Sequence, residues 1–325
     1  MIRVAVDALG GDRGPGEIVA GAKAAASPEI QPVLYGPPGL ETLGLPLVEA
    51  RDVIEMDESP VEAVRAKSDS SLVRAVRAVA DGEADAVVSA GNTGAMLAAS
   101  LLHIRRLPNV FRPAIAVVIP ARLRPSVLLD SGANSDARPE HLLQFGHMGA
   151  VFAEEILGVS DPEVRLLSIG EEDEKGNQLT LDAHELLRGS GLRFTGNTES
   201  RWLLEGEADV VVTDGFTGNI ALKAIEGTIR SLLEAIGSEV DSSLRGKLGG
   251  LLVRPAARRV RRRLDPEAHG GAYLLGLRGL VVIAHGSSSP VAIANAVRLA
   301  ARGVEHRVVE RLEERLPDRV AEPRA

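Results

Sequence analysis

Apolar residues fall in short, nearly continuous runs separated by longer segments of helical period. The runs lie at 3–8, 32–36, 85–90, 114–120, 126–132, 164–170, 209–215 and 279–286. Most do not alternate with polar residues, the pattern of strands covered on both faces. Helical periodicity occupies 17–26, 59–81, 95–105, 140–157, 181–187, 219–236 and 290–312. Strands alternating with helices predict an α/β fold with a mostly parallel sheet.

Two stretches echo each other. Residues 82–94 read GEADAVVSAGNTG, and residues 206–219 read GEADVVVTDGFTGN. Each runs from a β-branched strand through a polar glycine loop into a helix. Such a loop points backbone N–H groups at an anion, usually phosphate. The repetition suggests two related halves and a site for oxyanions. Asn92 and Asn219 also fit a simpler role as helix caps. Only the second copy carries an acid, Asp214, before its loop. The two loops are therefore expected to contribute differently to one site.

Ligands of open α/β sheets bind beyond the carboxyl ends of the strands. Polar clusters occupy six predicted ends, at 7–15, 91–94, 130–134, 170–172, 214–219 and 285–289. Their convergence on one rim is expected. Asp7, Gly10 and Gly11 form either a tight turn or a backbone cradle for phosphate. The spacing is not a dinucleotide fingerprint, and no P-loop lysine follows. Asp130, Asp136, Glu171 and Glu172 are metal ligands or caps and ion-pair partners, and no histidine cluster favours metal. Lys175, one of five lysines, sits in a polar loop with Asn177. Its ammonium suits a phosphate or a developing oxyanion, or is simply solvated. His285 precedes three serines, Ser287 among them, without a nucleophile elbow, so a turn or anion contact fits better than a triad.

At 325 residues, 45 % hydrophobic and 25 % charged, the chain can bury a large core. One Trp, two Tyr and five Phe leave that core to aliphatic residues. Scarce aromatics and a net charge of −8 argue against nucleic acid as a partner. With no cysteine, a disulfide, a thiolate metal site and a Cys nucleophile are excluded. The chain opens on a strand pattern and has no apolar run of bilayer length, so a cytoplasmic location is expected. Residues 318–325 read as a frayed tail.

The segment 228–264 differs from the rest. Ile229, Leu232, Leu233, Ile236 and Val240 keep helical spacing, as do Leu244, Leu248, Leu251 and Leu252. Gly249, Gly250 and Pro255 are expected to interrupt it. A basic run follows, with Arg254, Arg258, Arg259, Arg261, Arg262 and Arg263. Either the leucines are core and the arginines a solvated face, or an amphipathic hairpin docks on a subunit, an acidic protein or an anionic bilayer.

These residues taken together resemble the bacterial phosphate acyltransferases of phospholipid synthesis. The matching stretches are VAVDALGGDRGP, KSDSSLVRAV, SAGNTGA, LLDSGAN, SIGEEDEKGN, DVVVTDGFTGNIALKAIEG and HGGAYLLGLRGLVVIAHGSSS. They cover nearly the whole chain in family order. The departures are Leu9, where Met is usual, and Thr213, where Cys is frequent. The resemblance implies a three-layer α/β/α fold with a large, mostly parallel, mixed sheet and two intertwined subdomains, like that of isocitrate dehydrogenases. It implies one unit over 1–325 with the 228–264 hairpin inserted in it. It also implies a homodimer and a cytoplasmic enzyme that visits the membrane, where a glycerol-3-phosphate acyltransferase uses acyl phosphate.

The implied reaction is attack of inorganic phosphate on the thioester of acyl-[acyl-carrier-protein], with no cofactor or metal. Positioning and oxyanion donors would supply the acceleration. The expected phosphate loops are Gly91, Asn92, Thr93 and Gly94, and Thr217, Gly218 and Asn219. Asp7, Gly10, Gly11, Asn134, Asn177, Asp214 and Ser287 are the further substrate-binding candidates. Lys175, His285 and Asn219 are the catalytic candidates, with His285 as proton donor to the leaving thiolate. Leu248, Leu251, Leu252, Arg258, Arg259, Arg261 and Arg262 would dock on membrane or carrier. The rivals are a metal- and NAD-dependent dehydrogenase, a phosphate acetyltransferase using a CoA thioester, and a membrane-associated scaffold.

Overall fold

The computed structural model describes residues 1–264 and 270–317, with side chains described through 260 in the first stretch. The expected tail at 318–325 lies outside the described residues, as do the side chains of Arg261, Arg262 and Arg263.

Eleven strands form one sheet. They are β1 (Ile2–Asp7), β2 (Ile30–Gly36), β3 (Leu47–Glu49), β4 (Ala86–Ser89), β5 (Ala114–Ile119), β6 (Ser126–Leu129), β7 (Val164–Ser168), β8 (Phe194–Glu199), β9 (Val210–Val212), β10 (Ala272–Leu275) and β11 (Leu280–Ile283). The helices are α1 (Pro15–Ala25), α2 (Pro60–Ala66), α3 (Ser71–Ala80), α4 (Thr93–His103), α5 (Pro139–Phe152), α6 (Gln178–Arg188), α7 (Gly215–Asp241), α8 (Leu244–Leu264), α9 (Pro290–Glu305) and α10 (Val308–Arg315). All eight apolar runs are strands. The runs at 59–81 and 290–312 are each two helices. The first breaks where Ser70 caps α3, accepting from the Val73 N–H at 3.4 Å. The second breaks at Arg307, which takes a left-handed conformation.

The strand order is β3-β2-β1-β4-β11-β10-β5-β6-β9-β7-β8. β10 is antiparallel to β11 and to β5, and β5 is antiparallel to β6. The remaining ladders are parallel. Counted outward from the junction of β10 and β5, β4 and β9 are each the third strand. The GEAD echo therefore marks equivalent positions in two halves. β10 and β11 return from the far end of the chain to sit beside β4 and β5, which intertwines the halves.

Alternate residues of each strand feed opposite layers. Val4 and Val6 of β1 pack with α1 and α9, while Ala5 packs with α3 and α4. The first core continues under α5, α6 and α10. In the second half, Leu128 and Val211 meet Leu222 and Ile225 of α7.

Past that contact α7 leaves the body. None of residues 228–260 is buried, and Leu244 and Leu252 are each 83 % exposed. The leucines of this arm are therefore not core. The expected interruption is also absent, because α8 runs through Gly249, Gly250 and Pro255. Gly250 lies where a β-carbon would be 2.5 Å from a Val240 methyl, so it lets α8 approach α7. Pro255 removes one helical hydrogen bond, and the Leu- and Arg-rich turns beside it are good helix formers.

Candidate active site

Strand direction divides the predicted residues. β1, β4 and β11 run parallel and end at one edge of the sheet. β6, β7 and β9 run the other way and end at the opposite edge. The six polar ends thus form two groups of three, and the expected single rim is corrected. The reversal comes from β5 and β10, which run antiparallel to their neighbours.

At the first edge Asp7 binds the loops together. Its Oδ1 accepts the N–H of Leu9 and of Gly10, each at 3.2 Å. Its Oδ2 accepts the Ser89 hydroxyl at 2.7 Å, and Ser89 Oγ accepts the Gly91 N–H at 3.0 Å. Burial raises the Asp7 carboxyl above its ordinary value, opposed by hydrogen bonds from Ser71, Ser89, Leu9 and Gly10. A buried carboxylate so engaged fixes the loops. A β-carbon on Gly10 would lie 2.7 Å from the Gly91 nitrogen, so these two loops meet only because glycine is there. The Asp12 N–H donates to the Gly286 carbonyl at 2.7 Å and ties in the third loop beside Gly11.

Asn92 is buried, and its side chain is engaged within the protein. Oδ1 caps α4 through the Ala95 N–H at 3.0 Å. Nδ2 donates to the carbonyls of Glu55, Met56 and Glu58 at 3.2–3.3 Å. The groups left facing solvent are Thr93, His285 and Ser287, with Gly94 half-buried beside Pro60. Ser287 Oγ is 3.0 Å from His285 Nδ1. Three helices, α1, α4 and α9, begin from this edge and direct their positive ends toward it. Arg13, exposed on the β1–α1 loop, is a basic residue of this edge that the sequence reading did not single out.

At the opposite edge the organiser is Asp130, which the sequence offers as a metal ligand or as a cap and ion-pair partner. Its Oδ1 accepts from the N–H of Ile115, Gly132 and Ala133 at 2.9–3.1 Å. Oδ2 accepts both the N–H and the side-chain amide of Asn134, at 2.7 and 2.9 Å. Burial raises this carboxyl too, against those hydrogen bonds. Asn134 also donates to the Pro113 carbonyl at 2.8 Å, and its own carbonyl accepts from Gly215. Asp214 caps α7 through the Thr217 N–H at 2.9 Å. Thr217 is exposed, and half-buried Asn219 packs on Gly132.

Lys175 and Asn177 lie one strand over, on the loop after β7. Lys175 is exposed, and Asn177 caps α6 by accepting from the Thr180 N–H at 3.0 Å. Among the described residues no hydrogen bond or ion pair joins this edge to His285. Among the described residues no group of three or more His, Asp or Glu is placed to hold a metal ion.

The model of the family described as "Fatty acid synthesis protein" matches residues 2–311. A phosphate acyltransferase of Heliobacterium modesticaldum is 47 % identical, over 98 % of this chain and 99 % of its own. The chain belongs to the phosphate acyltransferase family. A second member, from Thermosynechococcus vestitus, is 45 % identical over 98 % and 96 % of the two chains. Membership makes this chain an acyltransferase of fatty acid synthesis. Among solved structures, a branched-chain phosphotransacylase from Enterococcus faecalis shares the fold, with a TM-score of 0.61 and 19 % identity over 94 % of this chain and all of that one. The EutD phosphotransacetylase of Staphylococcus aureus gives 0.58 and 16 % over 93 % and 94 %.

Proposed function

We propose that this phosphate acyltransferase moves a long-chain fatty acyl group from acyl-[acyl-carrier-protein] to inorganic phosphate. The observation that carries the proposal is the first edge, where three helix N-termini meet around the Gly10–Gly91 contact. Phosphate binds there against backbone N–H groups, Thr93 and Ser287, with Arg13 as countercharge. A phosphate oxygen attacks the thioester carbonyl, and an oxyanion forms. Its collapse breaks the C–S bond, leaving acyl phosphate and the carrier thiolate. His285 gives its proton to that sulfur. Phosphate is anionic at neutral pH, so alignment rather than a strong base supplies the acceleration.

Lys175 and Asn219 complete the oxyanion site from a homodimer partner, since their edge faces away from His285 within one chain. The exposed α7–α8 arm holds this cytoplasmic enzyme on an anionic bilayer, where a membrane glycerol-3-phosphate acyltransferase uses the product. Its exposed leucines and Arg254, Arg258 and Arg259 supply the apolar and basic faces.

The test offers phosphate with palmitoyl-carrier-protein, palmitoyl-CoA or acetyl-CoA, and measures thiol release. Phosphate-dependent release from the carrier supports the proposal. Release from acetyl-CoA alone makes the enzyme a phosphate acetyltransferase. Mixing His285→Ala with Lys175→Ala chains regenerates activity only if the two edges meet across a dimer.

A further inference from the structure

Four carboxylates, at positions 171–174, immediately precede Lys175, yet the lysine forms no ion pair or side-chain hydrogen bond among the described residues. Two of the acids have other partners. Glu171 Oε1 accepts the Trp202 indole N–H at 2.8 Å. Asp173 pairs with the Arg188 guanidinium. The backbone of the turn is held as well. The Ser168 hydroxyl donates to the Lys175 carbonyl at 2.8 Å, and the Lys175 N–H donates to the Glu172 carbonyl at 3.1 Å.

Beneath the turn runs a chain of hydrogen bonds, buried at its centre and open to solvent at its Arg188 end. Asn197 Nδ2 donates to the Glu172 carbonyl at 2.8 Å. Asn197 Oδ1 is 2.9 Å from His184 Nδ1, and His184 Nε2 is 2.7 Å from the Arg188 guanidinium. Nε2 lies 2.7 Å from the Arg188 guanidinium and 3.4 Å from Asp173 Oδ1; the shorter contact, to a group that only donates, assigns Nε2 as acceptor and Nδ1 as the protonated nitrogen. Every link then has one donor and one acceptor, from Arg188 through His184 and Asn197 to the Glu172 carbonyl. The His184 side chain is 3 % exposed and meets Phe194 edge-to-face at 5.0 Å. The buried His184–Asn197 link specifies one geometry, because any other leaves an unpaired group there.

We infer that Asn197 and His184 are positioning residues for Lys175. They fix the 171–175 turn so that Glu171 and Asp173 face their own partners and the ammonium is kept for an anionic group of the reaction. The inference rests on Lys175 stabilising the transferring oxyanion.

The test compares Lys175→Ala, Asn197→Ala and the double variant, with kcat and KM for phosphate. Asn197→Ala should lower kcat by about tenfold to a hundredfold, the scale of a misplaced catalytic group. The double variant should be no slower than Lys175→Ala alone. His184→Asn keeps a donor near the Nδ1 position and should retain most activity, whereas His184→Leu should lose it. Trp202 is the sole tryptophan, so its emission should change in Asn197→Ala as Glu171 is released. Normal kcat in Asn197→Ala beside an inactive Lys175→Ala overturns the positioning role. Equal losses in His184→Asn and His184→Leu also overturn it, since a role in packing alone predicts that. Near-normal turnover in Lys175→Ala sinks the lysine's part in the reaction instead, and with it the inference.

Discussion

A β-carbon on Gly218 would lie 1.9 Å from the carbonyl oxygen of Asp130. No side chain fits that gap, and backbone occupies the other side of it. The first turn of α7 is thereby pressed onto the loop that Asp130 organises. The same contact sets Asn219 against Gly132 and places Thr217 at the surface.

Gly218→Ala should therefore destabilise the fold by about 3 kcal/mol or more, the upper range for overpacking. Gly227, in the same helix, has open space at its β-carbon position. Gly227→Ala should raise stability by about 1 kcal/mol through helix propensity. Urea midpoints of the two variants check both signs. Similar midpoints for the pair would contradict the close approach.

Ser89→Ala tests the loop brace at the first edge. It removes the hydroxyl given to Asp7 and the acceptor for the Gly91 N–H, both buried. Leaving such groups unpaired costs about 1–3 kcal/mol each. Stability should fall by that order, and KM for phosphate should rise as the Gly91 loop loosens. Kinetics at a temperature well below the melting transition separate the two effects. Unchanged KM would remove this loop from the phosphate site.

Asp7 also gives a pH dependence. Its folded-state pKa lies above the ordinary value of 3.8, because burial penalises the carboxylate. The folded protein thus holds this proton more tightly than the unfolded chain does. That contribution to stability is full below the unfolded value and is lost as pH rises through the folded one. Asp7→Asn retains an oxygen for Leu9 and Gly10 and cannot ionise. Its stability relative to the parent should therefore improve as pH rises above about 4, measured as urea midpoints from acid to neutral pH. A constant difference across that range would refute the assignment.

The apolar runs made the fold class legible, since a doubly covered strand must be apolar on both faces. β8 was not legible, because FTGNTE mixes Thr, Asn and Gly at the sheet edge. β3 has only three residues, and β10 has four between glycines. Strand direction leaves no periodic signal, which is why the six polar ends were expected on one rim. Asp7 and the glycines stood out through the local motif. Ser89 did not, because its partner Asp7 is 82 positions away. Nothing local pointed to His184 and Asn197, which act on Lys175 through tertiary hydrogen bonds.

The α7–α8 arm carries the last prediction. Leu248, Leu251 and Leu252 are exposed, and so are Arg254, Arg258 and Arg259. Each arginine near an anionic bilayer contributes about 1 kcal/mol. Replacing Arg254, Arg258 and Arg259 with Ser should thus weaken binding to anionic vesicles by about 3 kcal/mol, roughly a hundredfold. That loss should shrink at high salt, where the charges are screened. Leu248→Ser with Leu252→Ser should weaken binding at any salt, because it removes buried apolar area. Vesicle sedimentation measures both. Neither set touches the strand-end loops, so turnover of soluble palmitoyl-carrier-protein should stay unchanged. If vesicle binding persists while KM for the carrier rises, the arm receives the acidic carrier rather than the bilayer.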